Sequence, residues 1–290
     1  MRAHHGTIEL ATEVFDGGGP PILLIMGLNA QMLLWPEPFC EALADRGHRV
    51  IRYDNRDVGL STRLDELGTP NIPAGILRAQ LGLPIHTPYS LTDMAGDAVA
   101  VLDAHAIERA CIVGASMGGM IAQRVAIHHP ERTASLVSIM STPSAPKPRY
   151  RGFRALIRPP APGREGYIES FADTFLSIGS QTHPPPREDL TRLAARLWER
   201  KPSRLGFARQ FGAILAEPSR EALLADVTAS SLVIHGAQDP LIPLMYGIRT
   251  SKCLGCRLEV HAEMGHDLPP VVWDRLVDSI SRHATAAAPQ

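Results

Sequence analysis

Short apolar segments alternate with amphipathic ones along residues 7–142 of this 290-residue chain. The apolar segments carry few charges and many β-branched residues, a pattern typical of strands buried on both faces of a parallel sheet. They predict strands at residues 22–26, 49–53, 110–113 and 135–139. Apolar residues at helical spacing predict helices at residues 37–46, 92–104 and 117–129. Alternating strands and helices indicate a doubly wound, mostly parallel α/β sheet.

Residues 143–225 follow a different pattern. This segment holds 11 of the 25 prolines and 8 of the 15 aromatic residues, and no part of it resembles a strand. Apolar residues at helical spacing between the prolines predict several short helices joined by stiff loops. We expect a helical cap at 143–225, inserted into a core formed by residues 1–142 and 226–290.

The aromatic residues of the cap have two interpretations. They can form the small core that a helical layer needs, or they can face a ligand. Both can hold at once. On the second interpretation, four side chains contribute to the wall of a substrate site: Phe171, Phe175, Phe207 and Phe211.

After residue 230 the α/β alternation returns. Residues 231–235 and 257–261 are predicted strands, and residues 271–283 form a predicted amphipathic helix that closes the chain. A single α/β core that is interrupted once by a helical insertion is the simplest account of the whole pattern.

Charge and composition narrow the function classes. The chain has 29 basic and 30 acidic residues and a net charge of −1, which argues against a nucleic-acid partner. Residues 1–10 contain no apolar signal region, and the longest apolar stretch, 21–35, is interrupted by polar residues. Four cysteines in a chain of this length do not form a disulfide framework. We expect a cytoplasmic protein without stable membrane insertion, and a homodimer stays open.

The strongest chemical signal is the sequence Gly114-Ala-Ser116-Met-Gly118. It matches G-x-S-x-G between a predicted buried strand and a predicted helix, which is the context of a nucleophilic serine. Glycines on both sides of such a turn remove side chains that would collide with the neighbouring strand and helix. The N-terminus of the following helix favours a developing negative charge. Ser116 is therefore the candidate nucleophile.

A serine nucleophile needs a base, and the chain offers 12 histidines. Most lie near the termini, within predicted strands or at a helix end. His266 differs, because it lies in a loop just after the predicted strand 257–261. Loops at the carboxyl ends of parallel strands form the site crevice in such sheets. His266 is the candidate base.

The acid that orients the base should lie between the serine and the histidine in the chain. Asp239 directly follows the predicted strand 231–235 and suits this role, although an aspartate before a proline is also ordinary turn chemistry. Asp267, next to His266, is the rival acid. We favour Asp239, because adjacent residues in a loop seldom face each other.

The order Ser116, Asp239, His266, with a helical insertion before the aspartate, resembles the α/β-hydrolase superfamily. Four stretches carry the resemblance: ILLIMGL at 22–28, YDNRDVGLS at 53–61, GASMGG at 114–119 and VIHGAQD at 233–239. Together they are similar to the lidded serine carboxylesterase branch that includes the aclacinomycin methylesterases.

This resemblance implies an α/β-hydrolase fold and ester hydrolysis through an acyl-enzyme. It implies no metal and no cofactor, and a small-molecule ester as substrate. The backbone N–H groups of Leu28 and Met117 would form the oxyanion hole. One departure is that many members carry His-Gly at the oxyanion loop, where this chain has Met26-Gly27. What supports the loop instead is left open.

Substrate and activity are less sharply predicted. We expect small to medium, mainly apolar esters. A cofactor-free perhydrolase or lactonase would use the same three residues. A ligand receptor of the same fold with little turnover is the alternative that is not primarily an enzyme. The basic cluster from Lys147 to Arg158 is expected to be a solvated surface, with recognition of a carboxylate-bearing ester as its alternative. The pair Cys253 and Cys256 lacks partners for a zinc site.

Overall fold

A computed structural model describes residues 1–145 and 151–287, except for the side chains of Arg151, Phe153 and Arg154. Eight strands in this part of the chain form one sheet, in the order β1-β2-β4-β3-β5-β6-β7-β8. They are β1 (Arg2–His5), β2 (Ile8–Asp16), β3 (Gly19–Ile25), β4 (His48–Tyr53), β5 (Ala110–Ala115), β6 (Thr133–Ile139), β7 (Ser230–Gly236) and β8 (Arg257–His261). Strands β3 to β8 run parallel, whereas β2 pairs antiparallel with both β1 and β4.

Helices cover both faces of the sheet. Those in the described residues are α1 (Glu37–Ala44), α2 (Ile72–Gln80), α3 (Leu91–Ala104), α4 (Met117–His128), α5 (Arg151–Ile157), α6 (Gly163–Ile178), α7 (Arg187–Glu199), α8 (Arg204–Ala216), α9 (Glu221–Leu224), α10 (Leu244–Leu254) and α11 (Trp273–Ala286). Helices α3 and α4 share one apolar cluster with the sheet, and α1 and α11 share the other. Within the described residues, no helix is both long and apolar enough to cross a membrane.

The burial of β3 explains why its sequence is uniformly apolar. Leu23 and Ile25 belong to the cluster with α3 and α4, whereas Ile22 and Leu24 belong to the cluster on the opposite face. All four side chains are fully buried. Burying an aliphatic side chain of this size contributes about 1.5–3 kcal/mol. A strand with helices on both faces thus has no polar side, as the sequence pattern predicted.

The N-terminal hairpin is the largest part of the sheet that the pattern did not predict. Strands β1 and β2 pair antiparallel at one edge of the sheet, and His5 Nδ1 lies 2.8 Å from Asp97 Oδ1. An edge hairpin is exposed on one side, so its segments lack the continuous apolar runs that mark the central strands. Helix α2, between β4 and α3, is likewise an addition to the predicted elements.

The predicted cap segment contains helices α5 to α9, which all lie between β6 and β7 in the chain. The fully buried Arg220 anchors the end of this segment where the chain goes back to the sheet. The Arg220 guanidinium donates to Glu217 Oε1 at 2.6 Å, to Thr142 O at 2.7 Å and to Gln123 Oε1 at 3.0 Å. Because these bonds join both ends of the segment to α4, the segment leaves and re-enters the core at one fixed place.

Candidate active site

Ser116 lies at the sharp turn between β5 and α4. Its backbone has φ 59° and ψ −121°, a conformation that is uncommon for a residue with a side chain and is stabilised only by its surroundings. A Cβ atom on Gly114 would lie 2.1 Å from the Gly118 carbonyl oxygen, and one on Gly118 would lie 2.1 Å from the Ile25 carbonyl oxygen. The two glycines therefore permit the close packing of strand and helix that the turn requires.

His266 follows β8 and reaches back to this turn. Its Nε2 lies 2.9 Å from Ser116 Oγ, within hydrogen-bond distance, and the residue is only 8% exposed. The backbone N–H of His266 donates to the carbonyl oxygen of Ile178, at the end of α6, at 2.8 Å. The histidine loop is thus attached to the cap segment as well as to the sheet.

Asp239 lies in the loop after β7 and completes a chain of hydrogen bonds. His266 Nδ1 is 2.7 Å from Asp239 Oδ2. The other oxygen, Oδ1, accepts the backbone N–H groups of Leu241 at 2.9 Å and Ile242 at 2.8 Å. Because an ionised carboxylate only accepts, this arrangement assigns the ring proton of His266 to Nδ1 and leaves Nε2 to accept a proton from Ser116.

Asp267, the rival acid, has other partners. Its Oδ1 accepts the backbone N–H of Ser180 at 3.0 Å and that of Gly265 at 3.1 Å. Burial raises the pKa of Asp267, and the two hydrogen bonds oppose that rise. In the described structure the carboxylate forms no hydrogen bond with the His266 ring. Asp267 instead ties the histidine loop to the cap segment.

The predicted oxyanion loop lies against the nucleophile. A Cβ atom on Gly27 would lie 3.1 Å from Ser116 Cβ and 3.4 Å from Ser116 Oγ. Met117 is the first residue of α4, where backbone N–H groups have no partner within the helix. Among the described residues, neither the Leu28 N–H nor the Met117 N–H donates to a protein acceptor. Two free donors therefore lie on the two segments that flank Ser116.

Three side chains that the sequence did not single out hold this loop. Gln210 Oε1 accepts the backbone N–H of Asn29 at 2.7 Å, and Asn55 Nδ2 donates to the carbonyl oxygen of Met26 at 2.8 Å. Gln31 Nε2 donates to the carbonyl oxygen of Leu197 at 2.9 Å. No local motif marks Gln210 or Gln31, because their roles depend on contacts across more than 160 residues of chain.

A second histidine lies close to the acid. His235 is fully buried, its Nε2 donates to the carbonyl oxygen of Ile242 at 2.7 Å, and the same nitrogen is 3.8 Å from Asp239 Oδ2. Burial lowers the pKa of His235, which favours the neutral imidazole. The Nε2–H bond to Ile242 closes the loop that carries Asp239.

The four aromatic residues predicted for the substrate wall form two separate pairs. Phe207 and Phe211 stack with their ring centroids 5.7 Å apart and belong to the apolar cluster that includes Leu28. Phe171 and Phe175 stack at 4.4 Å on α6, as part of an aromatic group that also contains a tyrosine and a tryptophan of the cap. Only the α8 pair therefore shares a cluster with the oxyanion loop.

Most of the basic cluster lies outside the part of the chain that the structure describes. Lys147 and Arg149 lie outside the described residues, as do the side chains of Arg151 and Arg154, whereas Arg158 is exposed. Cys253 and Cys256 are free thiols, and burial raises the pKa of Cys256 to about 11. Within residues 1–145 and 151–287, no group of three or more histidines, cysteines or acidic residues is placed to hold a metal ion.

Residues 20–269 match the sequence profile of the alpha/beta hydrolase fold family. The chain belongs to this family. The predicted α/β-hydrolase fold is confirmed, since the sheet order and its mostly parallel strands agree with the family match.

Two curated relatives of this α/β-hydrolase are methylesterases. Rhodomycin D methylesterase DauP of Streptomyces sp. (strain C5) is 30% identical over 94% of this chain and 93% of its own length. Rhodomycin D methylesterase DnrP of Streptomyces peucetius is 28% identical over the same shares. The predicted resemblance to the methylesterase branch is confirmed by these relatives.

Among solved structures, the enol-lactonase from Burkholderia xenovorans LB400 superposes with a TM-score of 0.75 at 20% identity. The superposition covers 98% of this chain and 100% of the lactonase. At this level of identity the likeness concerns the fold alone.

Proposed function

We propose that this α/β-hydrolase is a serine carboxylesterase in which Ser116 is the nucleophile, His266 the general base and Asp239 the orienting acid. The observation that carries the proposal is the continuous chain of hydrogen bonds from Ser116 Oγ through the His266 ring to Asp239, with distances of 2.9 Å and 2.7 Å. A strained nucleophile backed by a buried base and acid is the arrangement that activates a serine hydroxyl.

The reaction proceeds in two halves. Ser116 Oγ attacks the ester carbonyl carbon while its proton passes to His266 Nε2, and the carbonyl oxygen becomes an oxyanion held by the N–H groups of Leu28 and Met117. The intermediate collapses, His266 returns the proton to the departing alcohol, and an acyl-enzyme remains. Water then attacks the acyl carbon by the same route and releases the carboxylic acid.

The proposed substrate is an apolar ester of small to medium size, and a methyl ester is the first choice. The methylesterase relatives support the small alcohol. The apolar cluster that joins Leu28 and Met117 to Phe207, Phe211 and Leu241 supports an apolar acyl group. We assign residues 143–225 to a cap that supplies this wall.

Two further predictions belong to this proposal. The four free cysteines support a reducing, cytoplasmic environment, because disulfides are rare there. A homodimer stays a prediction.

The complete hydrogen-bonded triad supports an enzyme over a receptor, since a receptor does not need all three groups. The relatives named as methylesterases favour ester hydrolysis over lactone or peracid chemistry.

The test is the Ser116→Ala variant assayed with p-nitrophenyl esters and with methyl esters of apolar acids. We expect kcat to fall by about 10⁴-fold or more, because the nucleophile is lost while the oxyanion hole remains. A serine-directed phosphonate should label the wild-type chain once, at Ser116. Turnover within tenfold of wild type, or labelling at another residue, would refute the proposal.

A further inference from the structure

The oxyanion loop of this chain, residues 26–32, lacks the supporting histidine of the His-Gly pattern. A buried glutamine from the cap segment bonds to the same loop. We infer that Gln210 is a positioning residue that fixes the direction of the Leu28 N–H through the neighbouring Asn29. The inference rests on the proposed function, because it concerns the oxyanion hole of that reaction.

The loop forms a tight turn whose shape decides where the Leu28 N–H points. The Gly27 carbonyl oxygen accepts the N–H of Ala30 at 3.2 Å, which closes a four-residue turn. In a trans peptide the C=O and the N–H point in opposite directions, so the Leu28 N–H is directed out of the turn. Since Gly27 packs against Ser116, this donor would lie beside the carbonyl group of an ester that Ser116 attacks.

Asn29 occupies the third position of that turn with φ 53°. A positive φ at this position is characteristic of a type II turn, which glycine adopts at little cost and asparagine at some cost. The chain has asparagine here, which tolerates this conformation better than most residues with a side chain, and a further interaction adds stability. The 2.7 Å bond from the Asn29 N–H to Gln210 Oε1 supplies it.

Gln210 itself has little freedom. It is fully buried, and its Nε2 donates to the carbonyl oxygen of Arg56 at 2.8 Å, so both ends of the side-chain amide are bonded. The preceding residue, Arg209, forms a bidentate pair with Asp57 at 2.8 Å and 2.6 Å. Two consecutive residues of α8 therefore bond to residues 56–57. These bonds hold the Gln210 side chain in one position, so its Oε1 acceptor is already oriented toward Asn29.

Loss of the Gln210 acceptor leaves the Asn29 N–H without a partner, so the turn is no longer held at its third position and the Gly27–Leu28 peptide, which carries the Leu28 N–H, is free to tilt. The Leu28 N–H would then point at the oxyanion for only part of the time. One oxyanion donor contributes about 10²–10³ in kcat. Partial misdirection should therefore lower kcat by about 10- to 100-fold and leave KM within about threefold, since the donor acts mainly on the transition state.

The Gln210→Met variant tests this, because methionine has a similar length but is only a weak acceptor. Gln123→Met is the matched control. Gln123 is also fully buried with both amide atoms bonded, to Ser138 and Arg220, but it does not touch the oxyanion loop. Both variants should lose similar thermal stability, while only Q210M should lose kcat on a p-nitrophenyl ester and affinity for a trifluoromethyl ketone analogue of the tetrahedral intermediate.

A second variant, Gln210→Glu, keeps an acceptor oxygen for Asn29. Burial favours the neutral acid, whose hydroxyl can donate to the Arg56 carbonyl oxygen as the amide does. We expect Q210E to retain kcat within about threefold of wild type, which a merely space-filling role does not require. This arm also decides the question if Q210M fails to fold.

The inference is overturned if Q210M keeps wild-type kcat, if Q123M loses as much kcat as Q210M, or if Q210E loses more than tenfold at unchanged thermal stability. Wild-type turnover separates these outcomes from a failure of the proposed function. If the wild-type chain hydrolyses esters and S116A does not, the carboxylesterase assignment stands whatever Gln210 does.

Discussion

The choice between the two aspartates beside His266 leads to a sharp prediction for Asp239→Asn. In the wild-type site, Asp239 Oδ1 accepts two backbone N–H groups and Oδ2 accepts the His266 Nδ1–H. An asparagine would keep its single oxygen toward the two backbone donors, because those donors cannot face an NH₂ group. The NH₂ group would then face His266 Nδ1 and force the ring proton onto Nε2.

With the proton on Nε2, His266 cannot accept the proton of Ser116. In serine hydrolase triads, loss of the correct tautomer lowers kcat by about 10⁴, which corresponds to about 5.5 kcal/mol of transition-state stabilisation. We expect a fall of this size for D239N, with thermal unfolding changed by only a few degrees because both backbone bonds persist. The assay is kcat and KM on a p-nitrophenyl ester at neutral pH.

Asp267→Asn is the matched control. The amide oxygen can still accept the backbone N–H groups of Ser180 and Gly265, and the side chain does not orient the ring of His266. D267N should keep kcat within about tenfold of wild type. A D239N variant with near-wild-type kcat, or a D267N variant as impaired as D239N, would refute the assignment of the acid.

Three further predictions concern the ion pairs, the second histidine and the substrate. Asp57→Asn should lower the free energy of unfolding at pH 7 by about 1–3 kcal/mol, because the buried Arg209 loses its bidentate partner and keeps only Asp65 as a carboxylate partner, at 2.8 Å. Burial raises the pKa of Asp57, but its hydrogen bonds lower the pKa by more, so the net shift is downward. The difference in unfolding free energy between D57N and wild type should therefore shrink below about pH 4. A difference that stays constant down to pH 3 would argue against the Asp57–Arg209 ion pair. Burial lowers the pKa of His235, so the unfolding free energy of the wild type should fall as the pH drops below about 6.5. Measured by urea unfolding, His235→Gln should lose less unfolding free energy than wild type between about pH 7.5 and pH 5.5. Equal losses in the two proteins would contradict this prediction. On the ester series, kcat/KM should rise about fourfold per methylene from acetate to about hexanoate; a salt-sensitive preference for carboxylate-bearing esters would instead implicate the basic cluster.

The central sheet could be predicted because its determinants are local. Strand β5 and helix α4 are marked by an uninterrupted apolar run, the glycines around Ser116 and apolar residues at helical spacing. The order of Ser116, Asp239 and His266 along the chain could be found because each follows a predicted strand. Each of these signals lies within a few residues of the group that it identifies.

The support of the site could not be predicted in the same way. Gln210 and Asn29 are 181 residues apart, and neither lies in a motif. Likewise, the sequence around Asp267 does not tell that its carboxylate bonds to Ser180 rather than to the adjacent His266. Such contacts depend on how the cap packs on the sheet, and side-chain packing across layers leaves no periodic pattern in the sequence.

The cap segment bonds to each of the three loops on which the proposed mechanism depends. The backbone N–H of Gly152 in α5 donates to Pro240 O in the acid loop at 3.2 Å, and His266 in the base loop donates to Ile178 O at the end of α6 at 2.8 Å. Gln210 in α8 accepts from Asn29 in the oxyanion loop.

A rigid-body opening of the whole cap would therefore break hydrogen bonds at the acid, the base and the oxyanion loop together. Unpaired backbone groups at buried positions cost about 1–3 kcal/mol each. Movement of a single helix of the cap segment breaks fewer of these hydrogen bonds than a hinge motion of the whole segment and therefore costs less. If the proposed mechanism holds, the predicted cap is part of the catalytic framework rather than a separate lid, and we expect substrate entry to depend on described parts of residues 143–225 that form none of these bonds.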